Sequence, residues 1–136
     1  MSVRVRYKIS AVVSSTSAEE KDLGNQTWEV VTDTQGEGGS WKTTVLPGET
    51  NVRLNLGNLA IARLLIVRTT AKDPTQNPTP ILVRKESTSG ETVVVQPVGD
   101  AKEGHLLLAT DSVTAIYVSN PDSGVPMDLA VIACGD

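Results

Sequence analysis

The chain has 136 residues, enough for one domain with a continuous core, and its net charge of −4 argues against a polyphosphate binder. It has one cysteine, which excludes an intramolecular disulfide and a Cys-based zinc site. It has no Phe, and Trp28, Trp41, Tyr7 and Tyr117 are its only aromatic residues, so a core must come from Val, Leu, Ile and Ala. Abundant Val and Thr favour strands, because branching at Cβ suits a pleated, half-buried surface.

From Ser2 to Val13 the residues alternate. Val3, Val5, Tyr7, Ile9 and Ala11 fall on one side, and Arg4, Arg6, Lys8 and Ser10 on the other. A period of two predicts a half-buried strand, long enough to extend past a domain body as an arm over residues 1–14. Arg4, Arg6 and Lys8 come with no acid in the first ten residues, so the rest of the chain carries −7. A basic arm on an acidic body can join one copy to the next; a solvated strand face is the simpler alternative. The body is expected to occupy residues 15–136.

Ser14 to Gly24 is polar and predicts a loop, with a helical turn over 18–22 capped by Ser17. Gln26–Thr32 and Ser40–Leu46 predict two strands, carrying Trp28 and Trp41. The glycine-rich stretch 35–40 between them predicts a hairpin tip. Pro47-Gly48 marks a turn, and Thr50 to Leu56 alternates again. Leu59–Ala62 could begin as a helical turn, and Arg63–Thr70 reads as a buried strand. Pro74, Pro78 and Pro80 make residues 73–80 a stiff surface loop.

Strands follow at Ile81–Glu86, Glu91–Gln96, Gly104–Ala109, Val113–Ser119 and Met127–Cys134, with a turn at Asp111-Ser112. Eight to ten or so short strands separated by turn residues, with no alternating helices, predict an all-β antiparallel sandwich or jelly roll.

Candidate chemistry is sparse. His105 is the only histidine; Asp100, Asp111 and Ser112 are its nearest catalytic candidates in sequence, and none forms a nucleophile motif. It reads as a strand-end or interface histidine. Gly36, Gly38 and Gly39 lack the Lys-Ser/Thr pair and the following helix of a phosphate loop. The acids are scattered, with no calcium-loop spacing. No catalytic, cofactor-binding or metal residue is assigned. Cys134, near the end of an apolar strand, reads as a small core residue. Trp28 and Trp41 could stack on sugars, but with so few aromatics, core or subunit-interface packing is preferred. The Arg4/Arg6/Lys8 stripe lacks the interleaved aromatics of a single-strand nucleic-acid groove. Charges near the N-terminus replace the apolar stretch of a signal peptide, and no apolar run approaches the roughly 20 residues of a membrane span, so synthesis in a cytoplasm is expected.

The C-terminal half carries a family likeness. Residues 59–68, from Leu59-Ala60-Ile61-Ala62 to Val67-Arg68, lead into Pro80-Ile81-Leu82-Val83-Arg84. Gly104-His105-Leu106-Leu107-Leu108, Val113-Thr114-Ala115-Ile116-Tyr117-Val118 and the closing Leu129-Ala130-Val131-Ile132-Ala133-Cys134-Gly135-Asp136 follow. Over roughly residues 50–136 this resembles small β-sandwich virion proteins of tailed bacteriophages, of the head-decoration or tail-associated kind. The resemblance implies a capsid decoration (cement) protein, made in the host bacterial cytoplasm and carried on the virion. It would bind the major capsid protein or other virion proteins as a homo-oligomer, a trimer above all, with no cofactor, no membrane and no direct nucleic-acid contact.

Val3, Arg4, Val5, Arg6, Tyr7, Lys8, Trp28 and Trp41 are then the expected partner-binding residues. The alternatives are a tail, baseplate or fibre module that recognises a host glycan or a virion partner, and a hydrolase on a jelly-roll scaffold that depends on His105.

Overall fold

A computed structural model describes residues 4–14, 20–31, 37–122 and 124–136. Among them there is no helix. Ten strands run in order: β1 (Arg4–Ser14), β2 (Glu20–Val31), β3 (Glu37–Val45), β4 (Val52–Arg53), β5 (Ala62–Ala71), β6 (Ile81–Lys85), β7 (Thr92–Val95), β8 (Glu103–Val113), β9 (Ile116–Ser119) and β10 (Met127–Gly135). All pairings are antiparallel. The fold is the all-β sandwich that the strand spacing predicts.

Eight strands form two four-stranded sheets, ordered β3-β10-β5-β8 and β4-β9-β6-β7. The pairs are nested. β6 pairs with β7, β5 with β8, β4 with β9, and β3 with β10, so the chain behaves like one long hairpin folded across two layers. Alternation along each strand puts every second side chain between the layers. Leu65 and Val67, with Met127, Leu129 and Val131, meet Ile81, Val83, Ile116 and Val118 there, all at most 2% exposed. Burying one such side chain contributes about 1.5–3 kcal/mol. The core is aliphatic, as the missing phenylalanines require.

β1 and β2 form a separate two-stranded sheet. This overturns the predicted tryptophan hairpin. β2 pairs with β1, placing Trp28 opposite Tyr7, whereas β3 pairs with β10, placing Trp41 opposite Val131. The polar segment predicted as a loop supplies Glu20–Gly24 to β2, because pairing with β1 continues to Ser14↔Glu20 and overrides local helix and loop preference. Ser17 and the rest of 15–19 lie outside the described residues, as does the glycine stretch up to Gly36.

Gly38 and Gly39 are strand residues. A Cβ on Gly39 would stand 3.0 Å from the Trp41 ring, and one on Gly38 3.3 Å from the Cys134 Cβ.

Three smaller expectations also change. Asp111-Ser112 is not a turn: β8 runs on to Val113, with its register to β5 shifted between Ala62↔Val113 and Leu64↔Ala109. The break comes at Thr114-Ala115, where Glu86 accepts the Thr114 N–H (3.0 Å) and the Thr114 hydroxyl. Of residues 50–56, only Val52 and Arg53 form a ladder, though Leu54 and Leu56 are buried as the alternation predicts. Residues 59–61 make no helix: Ala60 and Ile61 donate their N–H groups to the Asp136 carbonyl at 2.8 and 3.1 Å.

One end of the sandwich is fastened by Asn120, which is fully buried. Its Nδ2 donates to the carbonyls of Val45 (3.1 Å) and Val125 (2.9 Å), and its Oδ1 accepts the Asp122 N–H at 3.2 Å. Its backbone bonds to Glu49 and Gly48, both at 2.9 Å. Replacing Asn120 with Ala strands two buried carbonyls and leaves a void. The expected cost is about 2–4 kcal/mol, read as a lower urea midpoint with an unchanged m-value.

Candidate interaction surfaces

The register assigns each outward-facing residue to a row. On the β1–β2 ribbon, Val5↔Val30, Tyr7↔Trp28, Ile9↔Gln26 and Ala11↔Gly24 share one side. Arg4↔Val31, Arg6↔Glu29, Lys8↔Thr27 and Ser10↔Asn25 share the other. One side is therefore predominantly apolar and aromatic in sequence. The predicted basic stripe forms a mixed row in which Arg6 faces Glu29. Arg6 is exposed. Of the residues expected to bind partners, Val3 lies outside the described residues. Arg4, Val5, Arg6, Tyr7, Lys8 and Trp28 are brought together by the ribbon, and Trp41 stands apart on β3.

Trp41 is half-buried against the core. A Cβ at Gly57, whose φ is +65°, would come within 2.5 Å of its ring, so that turn needs glycine both for its backbone and for the indole. The indole is thus part of the sandwich packing.

The outer face of the β3-β10-β5-β8 sheet is divided. Toward the Asn120 end it is charged, with Lys42, Arg68 and His105 in one row and Asp128 and Glu103 in the next. His105 is exposed, its Nε2 3.9 Å from a Glu103 carboxylate oxygen, and Arg68 lies 3.8 Å from the other oxygen. Ser112 lies seven residues farther along β8, more than about 20 Å from His105 at strand rise, and its Oγ accepts from Arg63 at 2.6 Å. The structure does not bring those two together as a nucleophile and base.

Past the charged rows come Ile132, Ile66 and Leu107, side by side on three strands. Ile132 is 47% and Leu107 38% exposed. Beyond them, Cys134 and Leu64 belong to the same outer face yet are buried at 2% and 1%, apart from the sandwich core. Cys134 is thus buried, as expected of a small apolar residue, but not between the sheets. Burial pushes its thiol pKa up, away from the reactive thiolate. The apolar row between charge and burial had no signal in the sequence beyond the alternation of β5, β8 and β10.

The opposite outer face carries Arg53, Tyr117 and Arg84 in a row across β4, β9 and β6. Arg84 Nη1 donates to Asn51 Oδ1 at 2.8 Å. Between the sheets, where β7 faces β8, a cleft of about 220 Å³ is lined by Val83, Val93, Leu106, Leu108 and Ile116, with Lys85 and Glu91 also in its wall. That is below the size of an ordinary small-molecule site. Among the described residues, no three His, Cys, Asp or Glu side chains converge as metal ligands would, and no helix is long and apolar enough to cross a membrane.

No family model matches the chain, and no curated protein matches it either.

The proline loop is held at the Asn120 end. Asp122 accepts N–H bonds from Gly124 (2.9 Å), Thr79 (2.9 Å) and Val125 (3.0 Å), and these hold its pKa below the ordinary 3.8. A lowered folded pKa stabilises the fold above the ordinary value, and the benefit is lost as pH falls through the folded value. The Tm gap between wild type and Asp122→Ala is therefore expected at neutral pH and should close as pH drops below 3.8. A gap independent of pH would exclude the carboxylate as its cause.

Proposed function

We propose that this chain is a structural subunit of a tailed-bacteriophage virion, a capsid decoration protein that binds the assembled head and stiffens it through contacts repeated over many copies. The observation that carries the reading is the β1–β2 ribbon, which pairs with no sandwich strand among the described residues and concentrates Val5, Tyr7, Ile9, Trp28 and Val30 on one side. A two-stranded ribbon is marginal alone in water, so such a side calls for a covering surface.

Two further points support the reading. The nested pairing across the two sheets supports a jelly-roll reading of the sandwich, an architecture used by many capsid and lectin domains. That is an analogy of fold, to which residues 50–136 add the likeness to phage virion proteins. The tail or fibre alternative is weakened by the packing of Trp41, and the hydrolase alternative by the exposed, partnerless setting of His105 with respect to Ser112.

In this reading multivalency supplies the affinity: a weak contact becomes durable when each subunit of an oligomer is tethered to the same shell. The expected partner is the major capsid protein, with the chain acting as a homo-oligomer and without catalysis.

The test is co-sedimentation with purified empty heads. Wild-type protein should pellet with them, and Tyr7→Asp/Trp28→Asp should lose more than about tenfold in affinity, as for removal of aromatic anchors, with an unchanged far-ultraviolet spectrum. Equal binding by both proteins would rule out the ribbon as the contact, and no binding by wild type would rule out the function.

A further inference from the structure

β8 forms one edge of its sheet. Its inner side pairs with β5, and among the described residues its outer side meets only Val98, in a single bridge at Glu103. Glu103 exchanges both backbone bonds with Val98, at 2.8 and 3.0 Å, so its N–H and carbonyl point away from β5. In an antiparallel strand these groups switch sides at every residue. His105, Leu107 and Ala109 therefore aim theirs outward as well, and among the described residues no backbone group meets them. We infer that β8 pairs antiparallel with β8 of a second copy about a two-fold axis at Leu107, joining the two β3-β10-β5-β8 sheets into one of eight strands.

Three observations select this partner. First, the edge is unguarded. Sheet edges are blunted by shortness, lysine, proline or a bulge. The β4 and β7 edges are two and four residues long, and the β3 edge carries Lys42 and two glycines. The run His105-Leu106-Leu107-Leu108-Ala109 has none of these devices.

Second, the edge is complementary to itself. An axis at Leu107 sets Leu107 against Leu107 and His105 against Ala109, so all three outward residues exchange bonds and no like charges are opposed within the ladder. The usable edge ends at Glu103, already taken by Val98, and after Ala109, where the β8 register shifts. Antiparallel pairing lays the first end of one copy beside the second end of the other, so neither calls for a bond the other lacks. An axis one residue earlier would pair Ala109 with the occupied Glu103. An axis one residue later would pair His105 with Asp111, past the shift.

Third, both faces gain cover from the same pairing. On the outer face, Ile132, Ile66 and Leu107 lie side by side across β10, β5 and β8, with Leu107 38% exposed at the edge. The axis continues that row into its copy. On the inner face, half-buried Leu106 and Leu108 line the cleft together with Val93, which is 45% exposed. Pairing sets Leu106 against Leu108 of the second copy, so apolar side chains meet at the open side of each cleft. No residue of the β1–β2 ribbon takes part, so this self-pairing surface is separate from the one proposed to meet the shell and does not depend on that role.

Full-length protein provides the test. In a Cys134→Ala background, Leu107→Cys should form an interchain disulfide under glutathione oxidation, because directly opposed Cα atoms stand about 5.5 Å apart. His105→Cys should not, since its counterpart lies four residues along the ladder, about 14 Å away. No linkage at 107, or linkage at 105 as strong as at 107, would overturn the inference.

Sedimentation equilibrium gives a second readout. Wild type should be dimeric. Leu107→Pro removes an outward N–H and no bond to β5, a change that an edge strand tolerates, so Tm should hold while the dissociation constant rises more than about tenfold. Ile132→Lys, on the same row but two strands from the axis, should leave the dimer in place. A monomeric wild type, or a dimer that survives Leu107→Pro, refutes the pairing. Should Leu107→Pro fold poorly, the disulfide pattern decides. Failure here is separable from failure of the function: monomeric protein that still pellets with empty heads keeps the function and refutes the pairing, whereas dimers that ignore heads do the reverse.

Discussion

The sandwich depends on one buried amide. Asn120 sits where β9 leaves its sheet and the chain must cross to β10, and two carbonyls at that corner, of Val45 and Val125, are directed inward. A buried carbonyl without a donor costs about 1–3 kcal/mol. An asparagine offers two donors and one acceptor on a short stem, and all three are used. The same residue's backbone closes the turn after β3 through Gly48 and Glu49. Thus one residue ties the end of the first sandwich strand to its last crossover, beside the start of the β3–β10 ladder.

The far end is closed differently. The Asp136 backbone binds Ala60 and Ile61, and its carboxylate lies 3.1 Å from Arg63 Nε, which holds the end of β10 against the start of β5. Here main-chain bonds and a partly exposed ion pair replace the buried amide, and the ion pair adds little by itself. Gly135 permits the approach, because a Cβ there would stand 1.9 Å from the Ile61 carbonyl oxygen. Both ends of the two-layer core are thus tied by hydrogen bonds between elements far apart in the chain.

Much of this was legible in the sequence, for a physical reason. Alternation reports which residues are buried, so the strands at 62–71, 81–85 and 127–135 and the aliphatic core could be read from Val, Leu and Ile at every second position. Pairing is a different matter. Trp28 and Trp41 flank a glycine-rich stretch, the local signature of a hairpin, yet β2 finds its partner upstream in β1 and β3 finds its partner some ninety residues downstream in β10. Local turn signals carry no information about contacts closed over such a distance. The same limit hid the apolar row, because Ile66, Leu107 and Ile132 become neighbours only through three strands' register.

The register also changes what the basic N-terminus means. As a lone strand, Arg4, Arg6 and Lys8 would form a cationic edge seeking acid in a partner. As half of a ribbon they lie opposite Val31, Glu29 and Thr27, so the row is mixed in charge by position. On the other side of the ribbon, Tyr7 and Trp28 stand opposite each other in the register. Aromatic pairs in such rows concentrate contact energy with little rotamer entropy to lose.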